Sequence, residues 1–321
     1  MIFVFTGPTG CGKTYSAFFR NNKKRIVYTA PCRQLVYESA LKYGKTTDAV
    51  KTSDIKIGSP QAKRIFATYE SINNKDIRNC DVFIIDEAHF IKDPERGQHL
   101  INLILFANKI GKKVILLSAT MDFNVHGAKV IDLPARGSEF KKEAASYEEC
   151  LERARDGVPT LIFHARKDEC GDIGRLLGIK SAVITADTPV YDRVRLVKLF
   201  NKGVITLMEA TNAMAQGVNV PAENIINIHN GWDKEETLVQ KFGRLGRTGV
   251  TKDGARLTYY FNELDKKSLE EAKEIFKSPS KTLVIKKKKE GRVVDYDLKN
   301  PDTIKNKKRL ERAILKTWEK K

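Results

Sequence analysis

Apolar residues along this chain fall in short runs, separated by stretches where they recur at helical spacing. Such alternation is the pattern of a parallel α/β architecture, whose strands are covered on both faces and so read as continuous hydrophobic runs. In the first half, the runs at 2–6, 25–30, 64–68, 81–86 and 113–118 are expected strands. A second series follows at 160–164, 181–186, 204–208, 224–229 and 255–261. Residues 190–200 place Val190, Val194, Val197 and Leu199 or Phe200 near helical spacing, which predicts an amphipathic helix. Residues 134–140 read as a linker between the series. The pattern predicts two tandem α/β domains with parallel sheets, over 1–135 and 136–265, and a C-terminal extension over 266–321. In that extension, 282–285 and 292–296 flank Lys286–Lys289, which predicts a basic hairpin turning near Gly291. Residues 303–320 read as a basic helix, with a disordered lysine-rich tail as the alternative.

Two clusters add chemistry to this pattern. Gly7-Pro8-Thr9-Gly10-Cys11-Gly12-Lys13-Thr14 follows the first strand and opens a helical stretch. Gly7, Gly10 and Gly12 let the backbone curl so that several N–H groups face one anion, as in a phosphate-binding loop. Lys13 is then expected at the β- and γ-phosphates of ATP, and Thr14 at Mg2+. The second cluster, Asp86-Glu87-Ala88-His89, ends the apolar run at 81–86. Strand ends of this kind are where α/β sheets present ligands. Asp86 is expected to hold Mg2+, usually through water, and Glu87 to polarise the attacking water.

With these two clusters in place, residues 1–262 resemble the superfamily 2 helicases and translocases. The resemblance rests on an ordered series of motifs. Thr29-Ala30-Pro31-Cys32-Arg33-Gln34-Leu35 and Ala67-Thr68-Tyr69-Glu70-Ser71 are similar to the family's nucleic-acid motifs of the first domain. By resemblance, Arg33, Thr68 and nearby backbone amides touch phosphates of one strand. Ser118-Ala119-Thr120 matches the motif that couples nucleotide state to domain movement, which implies that role for Ser118 and Thr120. Leu161–Arg166 resembles the fourth motif, placing Arg166 near nucleic acid, and 209–221 resembles the fifth. There Thr211 and Gly217 approach nucleic acid, and Asn219 faces the nucleotide. Gln240-Lys241-Phe242-Gly243-Arg244-Leu245-Gly246-Arg247 resembles the sixth. It implies Arg247 and Arg244 as arginine fingers and Gln240 as a residue placing water. Such fingers are worth about 10³–10⁵ in rate in other NTPases. The implied fold is two RecA-like domains, with ATP hydrolysed at the cleft between them.

Departures from the family shape the expectation. Asn212 and Asn219 stand where many members carry Asp, and the sixth motif begins with Gln240 in place of His. Only five residues precede Thr6, so an upstream glutamine element for reading adenine is not expected. The acid motif reads DEAH, which points away from DEAD-box proteins and toward a minimal DEAH-type or recombination-type core, of viral or plasmid-borne kind. The net charge of +18 is uneven: +8 over 1–135 (20 basic, 12 acidic), zero over 136–276 (22 of each), and +10 over 277–321 (16 basic, 6 acidic). That distribution points to a polyanionic partner. Nucleic acid is the expected partner, DNA ahead of RNA. Replication, recombination or repair proteins are the further partner class, and a monomer is expected. No apolar run approaches the roughly 20 residues of a membrane span. Cytoplasmic residence, in a host cytoplasm if the source is viral, is the expected location. Cys11, Cys32, Cys80, Cys150 and Cys170 are scattered, which points away from a disulfide framework or thiolate metal site. The expected function is an ATP-dependent helicase or translocase. The alternatives are an ATPase that remodels protein–nucleic-acid complexes without unwinding, and a binding module with a vestigial ATPase.

Overall fold

A computed structural model describes the chain except residues 46, 60, 135–139, 215–219, 229–232, 247–250, 252–253, 278–280, 284–285, 290–291 and 296–321. The chain divides into two compact units: Met1–Gly7, Cys11–Pro134 and the described residues after 277 form one, and Pro8–Gly10 with the described residues of Ala135–Lys277 form the other. In chain order the first contains β1 (Ile2–Thr6), α1 (Lys13–Phe19), β2 (Ile26–Ala30), α2 (Arg33–Tyr43), β3 (Ala49–Lys51), β4 (Lys56–Ile57) and β5 (Arg64–Thr68). It continues with α3 (Asn74–Arg78), β6 (Val82–Ile85), α4 (Gly97–Lys109), β7 (Lys113–Leu117), β8 (Phe123–Val125) and β9 (Lys129–Asp132). Eight strands form one sheet in the order β4-β3-β5-β2-β6-β7-β1-β9, parallel throughout except for the β3–β4 pair. Every residue of β6 is buried, because β2 and β7 flank it and helices cover both faces. Phe83, Ile85, Val114 and Leu116 pack with Leu100 and Ile104 of α4. Each such side chain contributes roughly 1.5–3 kcal/mol through burial. Asn73 caps α3 in a capping box with Asp76, whose carboxylate also takes the buried Lys51 ammonium at 2.8 Å.

The second unit contains β10 (Lys142–Ala144), α5 (Tyr147–Arg155), β11 (Thr160–Phe163), α6 (Asp172–Leu177), β12 (Ser181–Ile184) and α7 (Val190–Asn201). After these come β13 (Leu207–Ala210), β14 (Asn224–Asn227), α8 (Glu235–Phe242), β15 (Leu257–Phe261) and α9 (Glu263–Lys277). Its six strands run parallel in the order β10-β15-β14-β11-β13-β12. Successive residues feed opposite cores. Leu161, Phe163, Met208 and Ile225 pack with Leu238 and Leu269, while Ile162, Leu207 and Ile226 pack with Cys150 and Ala154. Both units are thus α/β folds with parallel sheets, as the run pattern predicts.

Several elements depart from the expected boundaries. The strand expected at 204–208 lies at Leu207–Ala210, because the buried Glu209 is accommodated inside it. The residues expected to form one extension over 266–321 divide. Helix α9 belongs to the second unit, whereas β16 (Lys281–Leu283) runs parallel to β8 of the first. A basic hairpin is present, but its first strand is the lysine run itself: β17 (Lys286–Lys289) pairs antiparallel with β18 (Arg292–Asp295). The expected helix at 303–320 and the centre of the expected linker lie outside the described residues.

Candidate nucleotide site and nucleic-acid motifs

Beyond β1 the chain turns through Gly7, Gly10 and Gly12, with φ of 131°, 83° and 87°. Gly7 has no alternative, since a Cβ there would lie 2.3 Å from the Leu133 carbonyl oxygen. The curl brings the Lys13 ammonium over the loop, where Nζ donates to the Gly7 carbonyl at 2.7 Å. Thr14 Oγ1 donates to Asp86 Oδ2 at 3.1 Å, so the loop and the acid pair predicted from sequence meet. Asp86 emerges one residue past β6, in the middle of the sheet. Its Oδ2 also accepts from Tyr28 Oη at 2.8 Å, and its Oδ1 accepts from the Glu87 amide at 3.0 Å. Burial, then the neighbouring Glu87 charge, pushes the Asp86 carboxyl up to about 6, against the pull of the Tyr28, Glu87-amide and Thr14 hydrogen bonds. The Thr14 hydroxyl and Asp86 carboxylate are hard oxygen donors of the partial set that Mg2+ takes alongside phosphate and water.

Glu87 adopts φ 51° and ψ 49°, left-handed backbone for a residue with a side chain. Such a conformation costs of order 1–3 kcal/mol and persists only where neighbours over-determine it. Here Tyr69 does so. Its fully buried hydroxyl donates to the Asp86 carbonyl and lies 3.1 Å from the Glu87 carbonyl. His99 Nε2 donates in turn to the Tyr69 carbonyl at 2.9 Å. His89 Nδ1 lies 3.5 Å from Glu87 Oε2, 3.2 Å from Ser118 Oγ and 3.1 Å from Thr120 Oγ1. The acid pair and the Ser118–Thr120 motif are therefore one connected network. Sequence alone does not single out His89, Tyr28 or Tyr69. His89 had a signal as the last residue of the acid motif, whereas the two tyrosines look like ordinary strand and turn residues.

Arg33 opens α2, half-exposed, and pairs with Asp54 at 2.9 Å. Thr68 ends β5 and is 6% exposed, its hydroxyl 2.9 Å from that of Ser71. In the second unit, Arg166 is exposed and grips Asp168 through two hydrogen bonds of 3.2 and 2.6 Å. Thr211 follows β13, its amide bonded to the Ile184 carbonyl. Gln240, on α8, is 4% exposed, and its buried side-chain carbonyl oxygen has no hydrogen-bond partner among the described residues. Such an atom is costly to leave unsatisfied, by about 1–3 kcal/mol. Arg244 lies two residues past α8 and is 5% exposed. Between them, the buried Lys241 ammonium bonds to Asp233 at 2.5 Å and Asn227 at 2.8 Å, while Asp233 accepts from Asn212 at 2.7 Å. The fifth and sixth motifs are thereby linked within the unit. Gly217, Asn219 and Arg247 lie outside the described residues.

A glycine loop bearing Lys13 and Thr14, beside an acid pair at the carboxyl edge of a parallel sheet, is the arrangement of a phosphate-loop nucleotide-binding fold. Residues 1–118 match the family model of the DEXQ-box helicase domain of Suv3, and residues 141–249 match the helicase conserved C-terminal domain. The chain belongs to the superfamily 2 helicases. It is 26% identical over 309 residues to a candidate helicase, helicase 7, of Sulfolobus islandicus filamentous virus, covering 78% of this chain and 51% of that protein. It is also 26% identical over 259 residues to the mitochondrial ATP-dependent RNA helicase SUV3 of Saccharomyces paradoxus, covering 74% and 34% respectively. The chain thus spans about half or less of the length of these curated relatives. The solved structure of S. cerevisiae Dbp5 bound to RNA and ADP BeF3 superposes with a TM-score of 0.59 at 17% identity, over 87% of this chain and 84% of that one. Mycobacterium smegmatis helicase Lhr bound to ssDNA and AMP-PNP gives 0.63 at 16% identity, over 88% and 46%. These likenesses show the fold, that of two-domain RecA-like helicases.

Proposed function

We propose that this protein is an ATP-dependent nucleic-acid translocase or helicase of DEAH type, with His89 at the position that gives the motif its last letter. The observation that carries the reading is the convergence of Lys13, Thr14, Asp86 and Glu87, with His89 joining the acids to Ser118 and Thr120. Thr14 and Asp86 would hold Mg2+, which when bound would neutralise phosphate charge. Lys13 holds the β- and γ-phosphates, and Glu87 orients water for attack. Arg244 and Arg247 supply the positive charge that the transferring phosphoryl requires, and Gln240 helps place the water. Arg33, Thr68, Arg166, Thr211 and Gly217 follow one strand, and the basic segment after residue 277 adds sequence-independent attraction.

ATP hydrolysis measured with and without single-stranded DNA, single-stranded RNA, duplexes and forks tests this. Hydrolysis is expected to rise sharply with polynucleotide, most with DNA, and to fall with salt. A Lys13→Ala variant is expected to be inactive. If no nucleic acid stimulates hydrolysis, and the wild type is no faster than Lys13→Ala, the reading is wrong.

A further inference from the structure

One donor to Asp86 opens a path away from the nucleotide. Ser39 Oγ donates to Tyr28 Oη at 3.0 Å, and Tyr28 Oη donates to Asp86 Oδ2 at 2.8 Å. All three residues are buried, with Ser39 at 5%, Tyr28 at 0% and Asp86 at 8% exposure. Ser39 lies on α2, six positions after Arg33, which opens that helix. At 1.5 Å per residue the two are about 9 Å apart along its axis. Tyr28 directly precedes Thr29-Ala30-Pro31, the segment leading into the same helix. The stretch that carries the first nucleic-acid motif is therefore joined to the catalytic carboxylate by two hydrogen bonds in series.

Packing does not account for the Tyr28 hydroxyl. The ring already sits among Phe18 and Phe66, with centroids 5.5 and 5.8 Å away, and a phenylalanine would fill the same space. A hydroxyl in a dry core is retained where its hydrogen bonds matter, and here both of its partners are specific. Its proton is committed to Asp86 and its oxygen accepts from Ser39, so the rotor is fixed from both sides.

We infer that Ser39, Tyr28 and Asp86 form a positioning relay, through which the setting of α2 on a bound nucleic-acid strand fixes the orientation of the Asp86 carboxylate and so the rate of ATP hydrolysis. The relay rests on the function proposed above. A shift of α2 that changes the Ser39–Tyr28 contact redirects the Tyr28 donor, and Asp86 then relies on Thr14 and the Glu87 amide alone. For binding, linkage is reciprocal: the factor by which nucleic acid changes nucleotide affinity through the relay is the factor by which nucleotide changes the affinity for nucleic acid, while the effect on rate is measured separately.

The test uses the full chain with Tyr28→Phe, Ser39→Ala and the double variant. Two quantities are read: the ratio of stimulated to basal ATP hydrolysis, and the change in oligodeoxythymidine and oligouridine affinity produced by a non-hydrolysable ATP analogue with Mg2+. Tyr28→Phe is expected to lower the ratio about 5- to 10-fold and to flatten the affinity change by a similar factor, the ordinary size of an allosteric coupling. Ser39→Ala is expected to lower the ratio about 2- to 5-fold. The double variant is expected to be no worse than Tyr28→Phe, because residues acting through one chain are not additive. A stimulated wild type with an unchanged ratio in Tyr28→Phe, or losses that multiply in the double variant, overturns the relay alone. A wild type that no polynucleotide stimulates removes the motor reading and the relay together.

Discussion

Replacing Glu209 by glutamine isolates one buried charge whose weight can be worked from its surroundings. The Glu209 carboxylate sits in the middle of β13 at 0% exposure. It accepts from His164 Nε2 at 2.9 Å and from the amides of Gly171, Gly174 and Ile173 at 2.9, 2.8 and 3.3 Å, so it holds the start of α6 to the sheet. Burial alone would raise its carboxyl, but the hydrogen bonds from His164, Gly174 and Gly171 outweigh it and bring it from 4.5 down to about 2. That displacement corresponds to about 3 kcal/mol of folded-state preference for the anion. Glutamine keeps the volume but turns an N–H2 group toward backbone donors, leaving buried amides without an acceptor. The second unit is expected to lose about 2–4 kcal/mol at pH 7, read by urea titration and by hydrogen exchange of the α6 amides. The sign with pH follows from the lowered carboxyl. The wild-type advantage is fully present above about pH 4.5 and is lost as pH falls through about 2, because the unfolded chain takes up the proton first. A difference below about 1 kcal/mol at pH 7, or one unchanged between pH 7 and pH 3, would refute this account.

Other expected outcomes concern the first unit and the basic hairpin. Tyr69→Phe removes the hydroxyl that holds the Asp86 and Glu87 carbonyls; it should cost about 1–2 kcal/mol in melting and at least about tenfold in kcat. A full-rate variant would mean that Tyr69 does not set the Glu87 backbone. With the Asp86 carboxyl at about 6, Mn2+ binding followed by electron paramagnetic resonance should weaken below that pH and level off above it. Asp86→Asn should remove this pH dependence, and a flat wild-type profile from pH 5 to 8 would contradict it. Changing Lys286–Lys289 to glutamine should reduce the salt slope of single-strand binding by about 3, at roughly 0.7 per phosphate contact. An unchanged slope would take the hairpin out of the binding surface.

Fold and site were legible in the sequence to different degrees, for physical reasons. Val82–Ile85 and Lys113–Leu117 lie inside a sheet covered on both faces, so burial wrote them as unbroken apolar runs. Ala49–Lys51 and Lys142–Ala144 gave no such run, because Lys51 is buried by its pairing with Asp76 and Lys142–Ala144 is a polar edge strand. The phosphate loop and acid pair were readable because their chemistry demands particular residues at fixed spacing. Their supports were not. Tyr28 and Tyr69 have the strand-compatible, apolar character of core residues, and only the fold reveals where their hydroxyls point. Glu209 interrupts a hydrophobic run because its partners come from α6 and from His164 just past β11, distant in sequence and adjacent in space.

The pairing of β16 with β8 sets the order in which this chain can mature as it is made. Lys281–Leu283 aligns with Phe123–Val125, on the order of 160 residues earlier, with the whole second unit between them. During synthesis, at about 5–20 residues per second, the second unit's sheet is complete and free to form before β16 has been made. For those seconds β8 waits without its partner. Anything that stalls synthesis before residue 281 leaves a first unit that binds nothing at β8, and such an unpaired strand is open to association with other chains.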